Sequence, residues 1–228
     1  MRASTLFVAT TNPGKLRDFS LAAAHQGVLI LPLPGLDAIE PPPEDAPTFA
    51  DNARDKAIYY SRFLPGEMVL ADDSGLEVDF LAGAPGVRYA RYAADAGFRA
   101  AATTDANNNL FLLQQLAGVG EDDRRAFYRC ALSIAQDARS TLAAEGAVEG
   151  RILSAMRGSG GFGYDPLFYV PALDHTMAEI DDQTRWTVSH RGQAFHALTM
   201  VLSGTNNKRL GHFHCSSNRN RLKDWTKS

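Results

Sequence analysis

The chain has 228 residues, of which 45% are hydrophobic and 21% charged, a composition that is ordinary for a compact enzyme and excludes disordered and fibrous proteins. Its formal net charge of −3 argues against a dedicated nucleic-acid-binding protein, because such proteins carry a basic face. The length suits one folding unit, and no apolar run approaches the roughly 18 residues of a membrane span.

Cysteine content and the N-terminal residues bear on the compartment. The two cysteines, Cys130 and Cys215, lie far apart in the sequence, which fits a reducing compartment better than a disulfide framework. The first residues lack the long apolar core of a signal peptide. We therefore expect free thiols, a cytoplasmic location, and neither a membrane nor a nucleic acid as partner.

The first third of the chain predicts an α/β protein. Residues 6–9 form an apolar run typical of a strand, the polar turn that follows ends in Pro13, which suits the first turn of a helix, and residues 28–31 predict a second strand. Residues 32–47 contain six of the eleven prolines together with Glu44 and Asp45, which predicts an extended acidic loop.

A helix is predicted to follow Thr48, which can cap it, with Phe49 and Ala53 on its buried face and Lys56 off that face. Residues 68–71 predict a buried strand that ends at Asp72 and Asp73. A half-exposed strand over residues 76–80 is expected next, because apolar and polar residues alternate there. The acidic pair is thus expected at a strand end.

The rest of the chain predicts a helix over residues 105–117, two antiparallel strands over 126–134 and 141–148, and a last helix from Ser189. These elements indicate a mixed sheet in one domain over residues 1–203. Residues 204–228 carry six Lys or Arg against one Asp, which predicts a loosely docked basic extension.

Two segments are typical of phosphate and metal chemistry. Residues 10–15 place small polar side chains, a glycine and Lys15 at a helix N-terminus, which favours anions, although simple helix capping explains the same pattern. Asp72 and Asp73 could hold Mg²⁺ with Glu44 or Asp45 and supply a general base, or could only organise a turn. Lys56 is either a solvated lysine or a phosphate ligand.

Two further segments favour an aromatic ligand. Residues 162–165 combine aromatic rings with the carboxylate of Asp165, which suits stacking on a purine and hydrogen bonding to its edge, or a turn with two core aromatics. Residues 189–191 place a hydroxyl, an imidazole and a guanidinium at a helix start, where capping is the alternative. A Ser/His hydrolase is not expected, because the chain has no GxSxG motif. A zinc site at His212, His214 and Cys215 is not expected either, because a fourth ligand is missing.

Read together, the segments TTNPGK, DNARDKA, ADDSGLEVD, GAPGVRYARY, GFGYDPLF and VSHRG follow one another in a recognisable order. The chain resembles the inosine/xanthosine triphosphate pyrophosphatase family from about residue 5 to residue 200. The resemblance implies an elongated mixed α/β sheet flanked by helices, two lobes with a nucleotide cleft between them, and a homodimer. It also implies hydrolysis of ITP, dITP and XTP to the monophosphate and pyrophosphate.

The resemblance assigns a role to each motif. Asp73 would be the base toward water, and Ser74 would contact the substrate beside it. Arg185 stands where the family commonly has a substrate-binding lysine. The remaining roles are phosphate binding by Thr10, Thr11, Asn12, Pro13, Gly14, Lys15 and Lys56, Mg²⁺ binding by Glu44, Asp72 and Asp73, contacts to the base by Phe162, Gly163, Tyr164 and Asp165, and recognition of the 6-oxo group by His190 and Arg191.

Two other classes of protein compete with this interpretation. A regulatory protein could bind the nucleotide without turnover, but Asp73 beside Ser74 argues against it. A nucleic-acid-associated protein could use the basic extension, but the net negative charge disfavours it. Whether Glu44 or Asp45 is the metal ligand of the acidic loop stays open.

Overall fold

A computed structural model describes residues 4–23 and 27–205. In that part of the chain an eight-stranded sheet is flanked by helices. The strands are β1 (Ser4–Val8), β2 (Val28–Pro32), β3 (Val69–Val78), β4 (Pro85–Gly86), β5 (Arg125–Gln136), β6 (Arg139–Ile152), β7 (Phe168–Val170) and β8 (His175–Thr176). The helices are α1 (Pro13–Ala23), α2 (Phe49–Ser61), α3 (Tyr92–Asp95), α4 (Thr104–Gln115), α5 (Asp182–Val188) and α6 (His190–Thr205).

The sheet is mixed, as predicted. Its order is β2-β1-β3-β5-β6-β7-β8, and β4 pairs with β3 beside this path. Strand β1 is parallel to β2 and β3, whereas each pairing from β3 through β5 to β8 is antiparallel. The β-α-β opening and the antiparallel pair β5 and β6 are confirmed.

The prediction that the acidic pair ends a strand is wrong. Strand β3 runs without interruption through Asp72 and Asp73, and both residues pair with the antiparallel strand β5. Aspartate, serine and glycine favour a turn locally, but a long paired neighbour overrides that preference. The strand expected up to residue 80 ends at Val78, and Phe80 follows it in a short 3₁₀ turn with 55% of its surface exposed.

One edge of β3 is open where the acidic pair lies. Strand β1 pairs with β3 only as far as Leu70, and β4 pairs with it from Leu76 onward. Between these points no strand of the described residues pairs on that edge. The chain leaving β1 turns away into α1, so a notch forms beyond the carboxyl end of a parallel strand, where ligands bind in open α/β sheets.

The core has two main parts at opposite ends of β3. One surrounds Leu70 and contains Phe19 of α1 and Phe195 of α6. The other surrounds Leu76 and contains Tyr164 and Phe168. This division corresponds to the expected two lobes, and the notch on β3 lies between them.

The helix ends confirm local predictions at several positions. Helix α1 begins at Pro13, and the Thr48 side chain caps α2 by accepting the Asp51 N–H at 3.1 Å. Helix α6 continues to Thr205 and therefore passes the boundary predicted at residue 203. The basic extension from residue 206 onward, with His212, His214 and Cys215, lies outside the described residues. No helix in the described part is long and apolar enough to cross a membrane.

Candidate active site

A cleft with a volume of about 550 Å³ opens at the notch of β3. Its walls come from the loop after β1, the acidic loop, α2, β3, the segment before α3, the start of α4, and the loop before β7. The lining includes Thr10, Thr11, Asn12, Lys15, Glu44, Lys56, Asp72, Tyr89, Asp105, Phe162, Gly163 and Tyr164.

The turn between β1 and α1 is shaped by Asn12. Its Oδ1 atom accepts the N–H groups of Gly14 at 2.8 Å and Lys15 at 3.2 Å, while its own N–H donates to Thr10 Oγ1 at 3.2 Å. These bonds aim the N-terminus of α1 at the cleft, where the helix dipole favours anions. Pro13 and Gly14 serve the turn and do not line the cleft.

The two adjacent aspartates of β3 point to opposite faces of the sheet, because side chains alternate along a strand. Asp72 faces α1, where its Oδ2 atom lies 2.7 Å from Lys15 Nζ. Ser74 lies on that same face and accepts a hydrogen bond from Arg191 Nη2 of α6 at 3.0 Å. Asp73 faces α2. The chain therefore has one carboxylate on each side of β3.

Asp73 and Glu44 converge on Lys56. The Lys56 ammonium lies 3.3 Å from Glu44 Oε1 and 3.6 Å from Asp73 Oδ1, although α2 and the acidic loop are separate segments. Glu44 lines the cleft, whereas Asp45 is exposed and does not line it. Lys56 is buried, so its interpretation as a solvated lysine is wrong: its ammonium turns toward the carboxylates at the end of an otherwise covered stem.

The two aspartates differ in acidity. Burial opposes ionisation of Asp72, but the charges of Lys15, Lys56 and Arg191 outweigh it and lower its pKa to about 2. For Asp73 burial prevails over the favourable effects of Lys56 and Asn52, and its pKa is raised. Neighbouring carboxylates with pKa values pushed apart are typical of sites in which one accepts a proton and the other stays ionised.

Asn52 is a site residue that the sequence interpretation missed. Its Nδ2 atom donates to Asp73 Oδ2 at 2.9 Å, and its Oδ1 atom accepts the Ala46 N–H of the acidic loop at 3.0 Å. It thereby ties Asp73 to the segment that carries Glu44. The signal was present, because Asn52 belongs to the DNARDKA motif and lies one helical turn before Lys56 on α2.

The pocket that the sequence predicts for an aromatic ligand lies beside the cleft and is a cavity of only about 20 Å³ in this structure. Asp165 accepts the Phe162 N–H at 3.0 Å and the Tyr128 hydroxyl at 3.0 Å. The Arg191 guanidinium lies 4.8 Å above the Phe162 ring. Tyr128, a buried residue of β5, was missed because nothing in the sequence distinguishes it from an ordinary core tyrosine.

His190 begins α6 and closes this pocket. Its ring stacks on Tyr128 with centroids 4.7 Å apart and planes at 16°. Burial and the neighbouring Arg191 charge hold its pKa well below the usual range, so the imidazole is neutral. Its Nδ1 atom is buried and has no hydrogen-bond partner among the described residues.

Two predicted ligand-binding residues also have structural roles. Tyr164 is fully buried and donates to the Tyr89 carbonyl at 3.2 Å, so Phe162 is the ring available for stacking. The Arg185 guanidinium donates to the carbonyls of Met177 and Ile180 at 3.0 and 2.8 Å and pairs with Asp182. Arg185 lines the small cavity, and its hydrogen bonds and ion pair stabilise the start of α5.

The carboxylates of the site can be compared with the ligands that a metal ion needs. No group of three or more His, Cys, Asp or Glu side chains among the described residues is arranged to hold a metal. Mg²⁺ typically uses one or two carboxylates together with phosphate oxygens, and Asp73 and Glu44 supply that number around Lys56, which lines the cleft. Asp72, also expected as a ligand, is engaged by Lys15 and by Ser74 Oγ at 3.4 Å.

These features define an α/β enzyme that acts on a phosphorylated aromatic ligand. An anion-binding helix end lies at the cleft, a carboxylate of raised pKa lies beside Lys56 of the cleft lining, and a small cavity lined by aromatic rings adjoins the cleft. A family model described as the Ham1 family matches residues 6–201. The chain belongs to the Ham1 family.

Known relatives agree with this assignment over nearly their whole length. The chain is 53% identical over 204 residues to a dITP/XTP pyrophosphatase of Acidobacterium capsulatum, covering 89% of this chain and 100% of the relative. It is 44% identical over 201 residues to a dITP/XTP pyrophosphatase of Desulforamulus reducens, covering 87% and 95%. The solved structure of the Staphylococcus aureus Ham1 protein superposes with a TM-score of 0.75 at 35% identity, covering 89% and 100%.

Proposed function

We propose that this protein hydrolyses non-standard purine nucleoside triphosphates, namely ITP, dITP and XTP, to the monophosphate and pyrophosphate. The observation that carries the proposal is the continuity of the site. Lys15 and Lys56 line the cleft, Arg191 lines the small cavity beside it, and Phe162 lines both. The relatives named dITP/XTP pyrophosphatases support the choice of substrate.

Asp73 is the general base of the proposed reaction. Its carboxylate is held in place by the Asn52 amide at 2.9 Å, and a positioned carboxylate can take up a proton from water. Its carboxylate takes a proton from the water that attacks the α-phosphorus, and the bond from that phosphorus to the pyrophosphate oxygen breaks. Lys15 and Lys56 lie where they can balance the charge that develops on the pyrophosphate.

Mg²⁺ is the cofactor of this proposal, and Asp73 and Glu44 would hold it. The ion supplies positive charge to the phosphate oxygens when bound. The contacts of both carboxylates to the single Lys56 ammonium support the assignment, because they show that Asp73 and Glu44 lie near one another.

The base pocket accounts for the preference for a 6-oxo purine. Asp165 is a hydrogen-bond acceptor, and it can accept the N1–H group that hypoxanthine and xanthine carry and adenine lacks. Arg191 is a permanent donor that suits a 6-oxo group, whereas it would face the amino group of adenine. A site built around such hydrogen bonds rejects a base that cannot form them.

The proposal includes a cytoplasmic homodimer with no membrane or nucleic-acid partner. The family resemblance supports the homodimer, and two cysteines far apart in the sequence support the location. A regulatory protein that binds the nucleotide without turnover is the alternative, and the relatives named dITP/XTP pyrophosphatases favour the enzyme.

Product analysis tests the proposed function. The purified protein with Mg²⁺ is given ITP, XTP, dITP, ATP or GTP, and products are separated by anion-exchange chromatography. We expect the monophosphate and pyrophosphate from ITP, XTP and dITP, and little from ATP. Release of orthophosphate, or equal rates with all five nucleotides, would contradict the proposal.

A further inference from the structure

Three consecutive asparagines on α4 each hold a different segment of the chain. Asn107 binds the backbone of residues 100–103 before the helix. Asn108 accepts the Ala93 N–H at 2.9 Å and donates to the Ala90 carbonyl at 3.1 Å. Asn109 reaches across to the loop before β7 and donates to the Gly163 carbonyl at 2.8 Å.

Gly163 is held on both sides by α4. Its N–H donates to Asp105 Oδ2 at 2.8 Å, and its carbonyl accepts from Asn109 Nδ2 at 2.8 Å. Its φ of 62° lies in the left-handed region, and a Cβ atom there would lie 2.5 Å from the Tyr89 hydroxyl. Gly163 is therefore hydrogen-bonded at both its donor and its acceptor in a left-handed conformation that favours glycine, and these bonds restrict its position.

The orientation of the Asn109 amide is set by its acceptors. Nδ2 donates to the Asp105 carbonyl at 2.9 Å as well as to Gly163. A flipped amide would place Oδ1 against two carbonyl oxygens. The buried Oδ1 atom has no hydrogen-bond partner among the described residues, which is unfavourable in itself. The two hydrogen bonds that Nδ2 donates to carbonyl groups therefore set the orientation of the amide, although Oδ1 has no partner among the described residues.

Gly163 lies between Phe162, which lines the base pocket, and the buried Tyr164. Phe162 precedes it, with its ring under Arg191 and its N–H on Asp165. Tyr164 follows it and is anchored on the Tyr89 carbonyl. Since the Phe162 to Gly163 peptide carries the N–H bound by Asp105, a release of Gly163 would let the plane of the Phe162 ring move relative to Asp165 and Arg191.

We propose that Asp105 and Asn109 are positioning residues that fix the loop of residues 162–165 and thereby set discrimination between 6-oxo and 6-amino purines. They act through Gly163 and need no contact with the base. The inference rests on the proposed function, because the proposed function places the purine base beside the loop of residues 162–165.

The test measures kcat and KM for ITP and ATP in Asp105→Ala, Asp105→Asn, Asn109→Ala and Asn109→Asp. Both alanine variants should raise KM for ITP and reduce the ratio of kcat/KM for ITP to that for ATP by about tenfold, as loss of one or two hydrogen bonds predicts. Asp105→Asn should keep most of the ratio, because its amide oxygen still accepts the Gly163 N–H. Asn109→Asp should be at least as damaging as alanine, since it turns a carboxylate toward two carbonyls.

Asn107→Ala is the matched control, because Asn107 has the same side chain on the same helix but holds residues outside the base pocket. It should lower Tm and leave the ITP to ATP ratio unchanged. Unchanged ratios in the Asp105→Ala and Asn109→Ala variants would overturn the inference, as would an equal loss in Asn107→Ala. Asp105 is exposed, so its variants should fold even if those of Asn109 do not. A wild type that hydrolyses no ITP would overturn the proposed function instead.

Discussion

Asp72 and Asp73 are adjacent on β3 but differ in acidity, because their side chains point to opposite faces of the sheet. Asp72 turns toward Lys15 and stays ionised, with a pKa lowered to about 2 against the effect of burial. Asp73 turns toward α2, where burial prevails and its pKa is raised. The difference arises because alternate residues of β3 face separate helices that carry different charges.

Replacing Asp73 by asparagine should separate turnover from binding. The Asp73→Asn substitution keeps the size of the side chain, but the amide can neither accept a proton from water nor supply an anionic ligand. We expect kcat for ITP to fall by about 10²-fold or more, while the affinity for a non-hydrolysable ITP analogue, measured by calorimetry, changes much less.

Asp79→Asn is the matched control for this substitution. Asp79 follows the end of β3 and its side chain is 52% exposed, so its neutralisation should leave kcat unchanged. An equal loss of turnover and analogue affinity in Asp73→Asn would show that Asp73 only binds the nucleotide.

The neutral His190 ring predicts a pH dependence of stability. Its folded pKa lies well below 6.5 because of burial and the Arg191 charge, whereas the unfolded value is about 6.5. Above pH 6.5 the ring is neutral in both states. As the pH falls below 6.5 only the unfolded state gains the proton, so the folded state loses about 1.4 kcal/mol per pH unit.

Urea unfolding of the wild type and of His190→Gln measures this effect. The difference in free energy of unfolding, wild type minus variant, should be constant from pH 8 to 7 and should decrease by about 1 kcal/mol between pH 6.5 and pH 5.5. Parallel curves over the whole range would mean that His190 protonates equally in both states.

At the scale of elements, β3 depends on a glycine for close packing. A Cβ atom on Gly75 would lie 2.6 Å from the Gly86 carbonyl oxygen and 2.8 Å from the Phe49 ring. Gly75 therefore lets β4 and α2 approach β3 directly beyond the notch. The sequence predicted a strand end at the neighbouring Asp72 and Asp73, but β3 continues through Gly75, which places no side chain in this crowded position.

Gly75→Ala should destabilise the fold by about 1–3 kcal/mol, the usual effect of overpacking, as measured by urea unfolding. The displaced Phe49 belongs to the helix that carries Asn52 and Lys56, so kcat should fall as well. Gly120→Ala is the control, because its φ is −63° and the nearest atom lies 4.0 Å away. A neutral result for Gly75→Ala would contradict the packing of β4 and α2 against β3.

At the scale of the molecule, the cleft joins the two halves of the core. Lys15 comes from α1, which packs on the half around Leu70, and Gly163 precedes Tyr164 of the half around Leu76. A ligand that spans the cleft binds the folded state and not the unfolded chain, so it stabilises both halves together.

Thermal unfolding with a non-hydrolysable ITP analogue and Mg²⁺ tests this coupling. At a concentration 100 times Kd the ligand should add about 2.7 kcal/mol and raise Tm of a domain of this size by about 5 to 10 °C in one transition. The adenosine analogue at the same concentration should give a smaller shift. Two separate transitions, only one of which responds to ligand, would contradict coupling across the cleft.

Local chemistry made part of this protein predictable from its sequence. Pro13 and Thr48 mark helix starts because the conformation and capping that they favour involve only their neighbours. The amphipathic face of Phe49 and Ala53 and the antiparallel strands β5 and β6 follow from periodicity in the same way. The ordered motifs added the family, and with it the class of substrate.

Tertiary structure alone decided the features that depend on residues distant in sequence. Asn52 lies 21 positions from Asp73, and Arg191 lies 117 positions from Ser74, so no local pattern pairs them. The sequence by itself determined which side chains could bind phosphate, metal and base. Three features required the packed sheet: the continuity of β3, the separate faces of Asp72 and Asp73, and the hydrogen bonds that hold Gly163. Each depends on free energy from contacts that form only when distant segments meet.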